Sequence, residues 1–238
     1  TRYSWTVQDN TNVTGENTGT SQPSISQSLT NISNTVQTVT YTVTPTSGAA
    51  GSCVGQTFQV GVTVNPRPSI VSETIAACSN APITYTATQG SNGNIVPTNT
   101  LYTWTIKTDD TNITGQSAQP VAQTSFTQTL RNTTNTQKTI VYTLTPISGT
   151  CTGTAFDLTV QVNPIPEIAN QTIAACSNAP ITYTATNGGG VNNNNIVPTN
   201  TLYTWTIKTD NALITGKSAQ STAQSTFTQT LKNTTNTP

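Results

Sequence analysis

The chain has 238 residues, only 7% of them charged, a formal net charge of zero at pH 7 and a pI near 6.0. Its eight basic residues are scattered singly, so it lacks the clustered cationic footprint that nucleic acid or an anionic membrane surface would require. It has no His and no close Cys pair for zinc, and no apolar run approaches the roughly eighteen residues that span a bilayer.

About a quarter of the residues are Thr, and Asn is abundant. Thr is β-branched and suits strands, whereas Asn and Gly suit turns, so an all-β protein is expected. The chain opens in mid-strand with RYSWTVQD at 2–9 and contains no Met, so it reads as a slice of a longer polypeptide. That opening is a degraded copy of LYTWTIKTD, which stands at 101–109 and again at 202–210. In the second copy, alternation puts Tyr102, Trp104 and Ile106 on one face and Thr103, Thr105 and Lys107 on the other, the period-two pattern of a half-buried strand. Trp5, Trp104 and Trp205 are the three Trp residues of the chain and are expected to anchor three successive cores, each ring burying about 200 Å². Tyr41 and Tyr142, in YTVTP and YTLTP, are expected to face the same cores.

The repeat has further landmarks. TIAACSNAPITYTAT at 74–88 returns at 172–186, a shift of 98, and the shift becomes 101 at the Trp because QGSNGNIVPTN has grown to NGGGVNNNNIVPTN. An insertion there marks a loop. VNPRP at 64–68 returns as VNPIP at 162–166; two prolines around one residue stiffen a connector and stop a strand, so these are the expected boundaries. The chain then divides into the C-terminal part of one repeat (1–66), a complete repeat (67–164) and the N-terminal part of a third (165–238).

Within the complete repeat, strands are expected at 70–77, 83–88, the Trp104 segment, 117–122, 126–130, 139–145 and 155–162. Ile83, Tyr85 and Ala87 face inward, as do Phe126 and Leu130, then Ile140, Tyr142 and Leu144, then Phe156, Leu158, Val160 and Val162. Gln128 falls between two inward apolar residues, and only an edge position accounts for it. Seven short alternating strands at this spacing fit an immunoglobulin-like β-sandwich, here repeated end to end.

Several of these segments resemble a known family. Cys-Ser before the second strand, TYTWTI-like alternation on the third, YTLTP on the sixth, a Cys-Thr-Gly hairpin loop and the closing VNPxP resemble the PKD-like, immunoglobulin-type tandem repeats of giant cell-surface adhesins of Bacteroidota. The signature Trp-Asp-Phe-Gly-Asp-Gly is replaced here by Trp104 followed by TIKTDD. The resemblance implies stalk repeats of a secreted adhesin filament of the gliding-motility type. It also implies type IX export, a location at the cell surface, and neighbouring repeats and surface or secretion machinery as partners. No cofactor is implied.

Cys53, Cys78, Cys151 and Cys176 fall at two repeated positions, one before the second strand and one in the last hairpin loop. In an extracellular setting disulfides are expected. Counting strands up and down puts the two positions at opposite ends of a sandwich, which favours a bridge from Cys78 to the hairpin cysteine of the following repeat. The rival is a bridge from Cys78 to Cys151 within one repeat.

Without His, and with no motif gathering acids, lysines or hydroxyls, an enzyme is not expected. Asp9, Asp109, Asp110 and Asp210 follow the Trp strands; the plain reading is turn formation, with Ca²⁺ between repeats as the alternative. A Lys–Asn isopeptide bond at Lys107 or Lys208 would need a buried acid, and none recurs inward. Asn112-Ile-Thr114 is a chance glycosylation sequon in so Asn- and Thr-rich a chain. The function expected is a spacer stalk that holds a distal binding region away from the cell. The alternative is a glycan-binding or accessory module, which would require exposed aromatic residues.

Overall fold

Alternation of Thr with aromatic and β-branched residues produces strands throughout. The structure, a computed structural model describing residues 1–48, 51–190 and 193–235, is built of β-strands and turns, with a 3-10 turn at Ser91–Gly93. Residues 191–192 of the lengthened loop, and 236–238 of the third segment, lie outside the described residues. No helix among the described residues is long and apolar enough to cross a membrane.

The middle segment forms two layers. One sheet runs, in spatial order, Gln119–Gln123, Leu101–Thr108, Lys138–Ser148, Phe156–Asn163 and Glu73–Cys78, with Cys151–Thr152 folding back on the end of Lys138–Ser148. The last pair in this order is parallel, and its register sets Leu158 beside Glu73 and Asn163 beside Cys78. The facing layer pairs Pro82–Tyr85 with Phe126–Thr129 and Ile113–Thr114 with Arg131–Asn132. Inward residues from both layers close one core, all of whose fully buried members lie between Ile70 and Val162. At its centre Phe126 touches Trp104, with ring centroids 5.1 Å apart, and meets Tyr142 edge-on at 4.9 Å. This is the expected immunoglobulin-like sandwich.

The strand limits move slightly. The first strand begins at Glu73 rather than residue 70, because Ser69 exchanges hydrogen bonds with Ile95 instead of joining the sheet. The second ends at Tyr85, and beyond it the Ala87 N–H donates to the Tyr102 hydroxyl at 3.3 Å. Gln128 does lie on an edge strand, since among the described residues Phe126–Thr129 pairs only with Pro82–Tyr85, but its side chain points inward, is buried, and has a specific set of partners described below.

The first segment builds a sheet of Gly19–Gln22, Arg2–Val7, Gln37–Thr46 and Phe58–Val64, with its own core of Trp5, Val13, Val39, Tyr41 and Val43. The third pairs Pro180–Tyr183 with Phe227–Thr230, Tyr203–Trp205 with Gln220–Gln224 and Ile214–Thr215 with Lys232–Asn233. Here Trp205 is only half-buried, and it meets Phe227 edge-on at 5.0 Å.

Candidate functional site

Three amide side chains recur at matched positions, and each holds a piece of irregular backbone. The first is a clamp on the loop after the Trp strand. The Trp104 indole N–H donates to the Ser117 carbonyl at 3.0 Å, and Gln128 closes on the same residue, accepting from Ser117 N at 3.1 Å and donating to Ser117 O at 2.9 Å. Trp5 and Gln27 grip Asn17 in the same way, and Trp205 and Gln229 grip Ser218. A buried indole needs an acceptor and a buried amide needs both donor and acceptor partners; one loop residue satisfies them together.

The second clasp is Asn132. Its Nδ2 donates to Thr136 O at 2.7 Å and Val162 O at 2.9 Å, and its Oδ1 accepts from Thr134 N and Oγ1. Asn31 repeats the pattern with Thr35, Val64 and Ser33, and the Asn233 Oδ1 accepts from Thr235. Each of these is an Asn-x-Ser/Thr triplet, yet Asn31 and Asn132 are buried and fully engaged, so these triplets are internal ties between a turn and the last strand. The third is Asn94, whose Oδ1 accepts from Val71 N at 2.9 Å; Asn195 does the same for Ala169 N. These clasps were not legible from composition, which assigns Asn to exposed turns. The available signal was Gln128 on an inward parity with a Gln at the matching place in every copy.

The residues expected to be core are placed as follows. Trp5, Tyr41, Trp104 and Tyr142 are buried, and Trp205 is half-buried. The Tyr41 hydroxyl donates to Gln27 Oε1 at 2.7 Å, whereas the Tyr142 hydroxyl has no hydrogen-bond partner among the described residues. Burial pushes the Tyr142 hydroxyl well above its ordinary pKa, and the nearby Asp109 charge adds to this.

Of the acidic positions after the Trp strands, Asp110 is the turn former, whereas Asp109 accepts from Gln116 and Asp210 pairs with Lys217. Asp110 Oδ1 accepts from Asn112 N and Nδ2, both at 2.9 Å, and the backbone bond foremost holds its carboxyl below the usual range. Asn10 and Asn211 make the corresponding turns, so the shaping position is one residue beyond Asp9, Asp109 and Asp210. Among the described residues, no three Cys, Asp or Glu side chains converge on a point. Lys107 pairs with Asp157 at 2.5 Å, and Asp157 also accepts from Thr143 Oγ1 at 3.0 Å, so this amine reaches across Lys138–Ser148 to a carboxylate two strands away in the same sheet rather than to an amide.

The connectors between segments are built alike. Ser69 and Ile95 exchange two backbone hydrogen bonds of 3.0 and 2.8 Å, and Glu167 and Ile196 exchange two of 2.9 and 2.8 Å. Each junction holds a cleft, one of about 530 Å³ lined by Asn65, Pro66, Pro97 and Ser148, the other of about 580 Å³ lined by Arg131, Glu167 and Asn195. The second junction adds an ion pair, Arg131 to Glu167 at 2.6 Å, where the first has Thr30 and Ser69. The clefts are open and are lined mainly by Asn and Thr.

All four cysteines are free thiols, Cys53, Cys78 and Cys176 exposed and Cys151 partly so. Cys78 lies beside Asn163, at the finish of the Phe156–Asn163 strand, and Cys151 precedes the start of that strand. Eight residues at about 3.3 Å each separate the two ends by roughly 25 Å, several times the span of a disulfide. The bridge between Cys78 and Cys151 within one repeat is therefore not formed.

A search of the curated proteins finds no match. The family described as PKD-like domain matches residues 1–68 and again 75–166, together about two thirds of the sequence. With two successive matches laid over two successive tryptophan-centred cores, the chain belongs to the PKD-like domain family.

Proposed function

We propose that this chain is a run of spacer repeats in the stalk of a large adhesin exposed at the cell surface. In this reading it comprises the end of one repeat (1–66), a whole repeat (67–164) and the beginning of another (165–238). The stalk presents a distal binding region for attachment or gliding, its immediate partners are neighbouring repeats of the same polypeptide, and it is not an enzyme. Export by the type IX route and an origin in Bacteroidota rest on the resemblance of the repeat segments.

The observation that carries the reading is surface area. The chain exposes 14203 Å², against about 10,000 Å² for a single globule of its 25.0 kDa mass. An excess of this size supports separate cores strung along a line, with each unit contacting only its neighbours. In the complete repeat Tyr85, Tyr102, Trp104, Phe126, Tyr142 and Phe156 are all buried, which removes the aromatic platform a glycan-binding module would offer.

Small-angle X-ray scattering on the whole chain tests the proposal. Three sandwiches end to end, each about 35 Å long as set by an eleven-residue strand, give a radius of gyration of about 30 Å. A single globule of 238 residues would give about 18 Å, and a value near that sinks the spacer reading.

A further inference from the structure

We infer that consecutive repeats are stapled covalently, by a disulfide between the Cys78 position of one repeat and the Cys151 position of the next. The inference rests on the end-to-end reading above. Cys78 marks the trailing end of the middle repeat: it lies beside Asn163, the following Ser79 N–H donates to Asn163 O at 2.8 Å, and Ser79 Oγ accepts from Asn132 N at 3.0 Å. Cys151 marks the leading end. It pairs with Ser148, and the adjoining Thr152 carbonyl accepts from the Nε of Arg67, in the connector that enters the repeat, at 2.7 Å.

The junction between the first and middle repeats brings these two ends together. Asn65 is the counterpart of Asn163, and it lines the same cleft of about 530 Å³ as Ser148, Gly149 and Thr150, the three residues before Cys151. Asn34, the counterpart of Asn135 in the Asn132 turn, lines it too. Carrying the register of the middle repeat onto the first places its Cys78 position beside Asn65, facing the Cys151 hairpin across that cleft. By this register the Cys78 position of the first repeat and the Cys151 position of the third both lie outside Thr1–Pro238. No two of the four cysteines share a junction, which accounts for four free thiols.

The chemistry is thiol–disulfide exchange. One thiolate attacks a disulfide oxidant such as oxidised glutathione and releases one glutathione thiol. The second thiolate then attacks the mixed disulfide and releases another, so two protons and two electrons leave the pair and reduce the oxidant.

The test keeps the whole chain and joins a second copy of residues 67–99 ahead of Thr1, which rebuilds the front of the first repeat with its cysteine. After oxidation by glutathione disulfide, alkylation and mass spectrometry, the added cysteine is expected to be bridged to Cys151. Cys53, the native Cys78 and Cys176 are expected to remain alkylated. Cys151→Ser abolishes the bridge and Cys176→Ser leaves it. A bridge from the added cysteine to Cys53, a linked dimer, or alkylation of every cysteine overturns the inference. If the rebuilt front fails to fold, as read by Trp emission, two copies of residues 67–164 joined in series recreate the VNPRP connector around a self-contained core and give the same readout. Scattering of the reduced protein separates the two ideas: an extended particle without the bridge removes the staple and leaves the spacer.

Discussion

Tyr41 and Tyr142 hold the same register position in successive repeats and differ by one hydrogen bond. Tyr41 reaches Gln27, while the hydroxyl of Tyr142 is buried without a partner. A buried hydroxyl that gives up water for nothing costs about 1–3 kcal/mol, whereas a made bond contributes about 1 kcal/mol. Tyr142→Phe is therefore expected to leave stability unchanged or raise it by about 1 kcal/mol, and Tyr41→Phe to lower it by a similar amount, both read from urea melts. Equal losses in the two variants would contradict the assignment. Gln128 is a second residue whose worth lies in its bonds. Gln128→Ala removes two hydrogen bonds to the Ser117 backbone and leaves a small gap in place of a buried side chain, for a loss of about 1–3 kcal/mol. Leu at the same place fills the gap but not the bonds, so it is expected to recover only part of the loss.

The Trp strand and the loop after it are fixed by one backbone requirement as well as by the clamp. Gly115 has φ +87, and a Cβ there would lie 2.4 Å from the Thr129 carbonyl oxygen. Gly15 and Gly216 repeat both the positive φ and the close approach. Ala at Gly115 thus meets backbone strain and a backbone clash that no rotamer relieves, and a loss of about 1–3 kcal/mol is expected. A thermal melt of Gly115→Ala beside Gly90→Ala separates the two causes, because Gly90 shares the positive φ but has open space around it. If the two variants lose the same stability, the close approach is irrelevant. The alternation of Thr and apolar residues announces these strands. The loop that they carry depends on this Gly and on the amide of a distant strand, and spacing along the chain does not connect them.

Across the whole molecule, charge is sparse and the shifted acids point one way. Asp157 is lowered first by its hydrogen bond from Lys107, Asp110 by the Asn112 backbone, and Asp210 by its bond from Lys217. A folded-state pKa below the unfolded carboxylate value of about 3.9 contributes stability that is fully present above that value. That stability is lost as pH falls through the lower folded value. With no His in the chain, stability is expected to be flat from pH 5 to 7 and to fall below about pH 4. Denaturant midpoints across that range measure it, and Asp157→Asn is expected to flatten the acid limb. A midpoint that already drops between pH 7 and 5 would point to a titrating group other than these carboxylates.

The places of the seven main strands along the chain, their inward faces and the repeat itself were legible in the sequence, because a period of two and a self-similar period near 98 are properties of the chain read in one dimension. Ile140, Tyr142 and Leu144 could be placed inward without coordinates for that reason. Gln128, Asn94 and Asn132 could not, since an amide is polar on any scale, and whether it meets water or backbone groups depends on segments 11 to 30 residues away. The junctions belong to the same class. Two prolines mark where a repeat stops, but only folding brings the trailing Asn65 and the leading Ser148 hairpin to one cleft, because these residues stand more than eighty positions apart across a boundary.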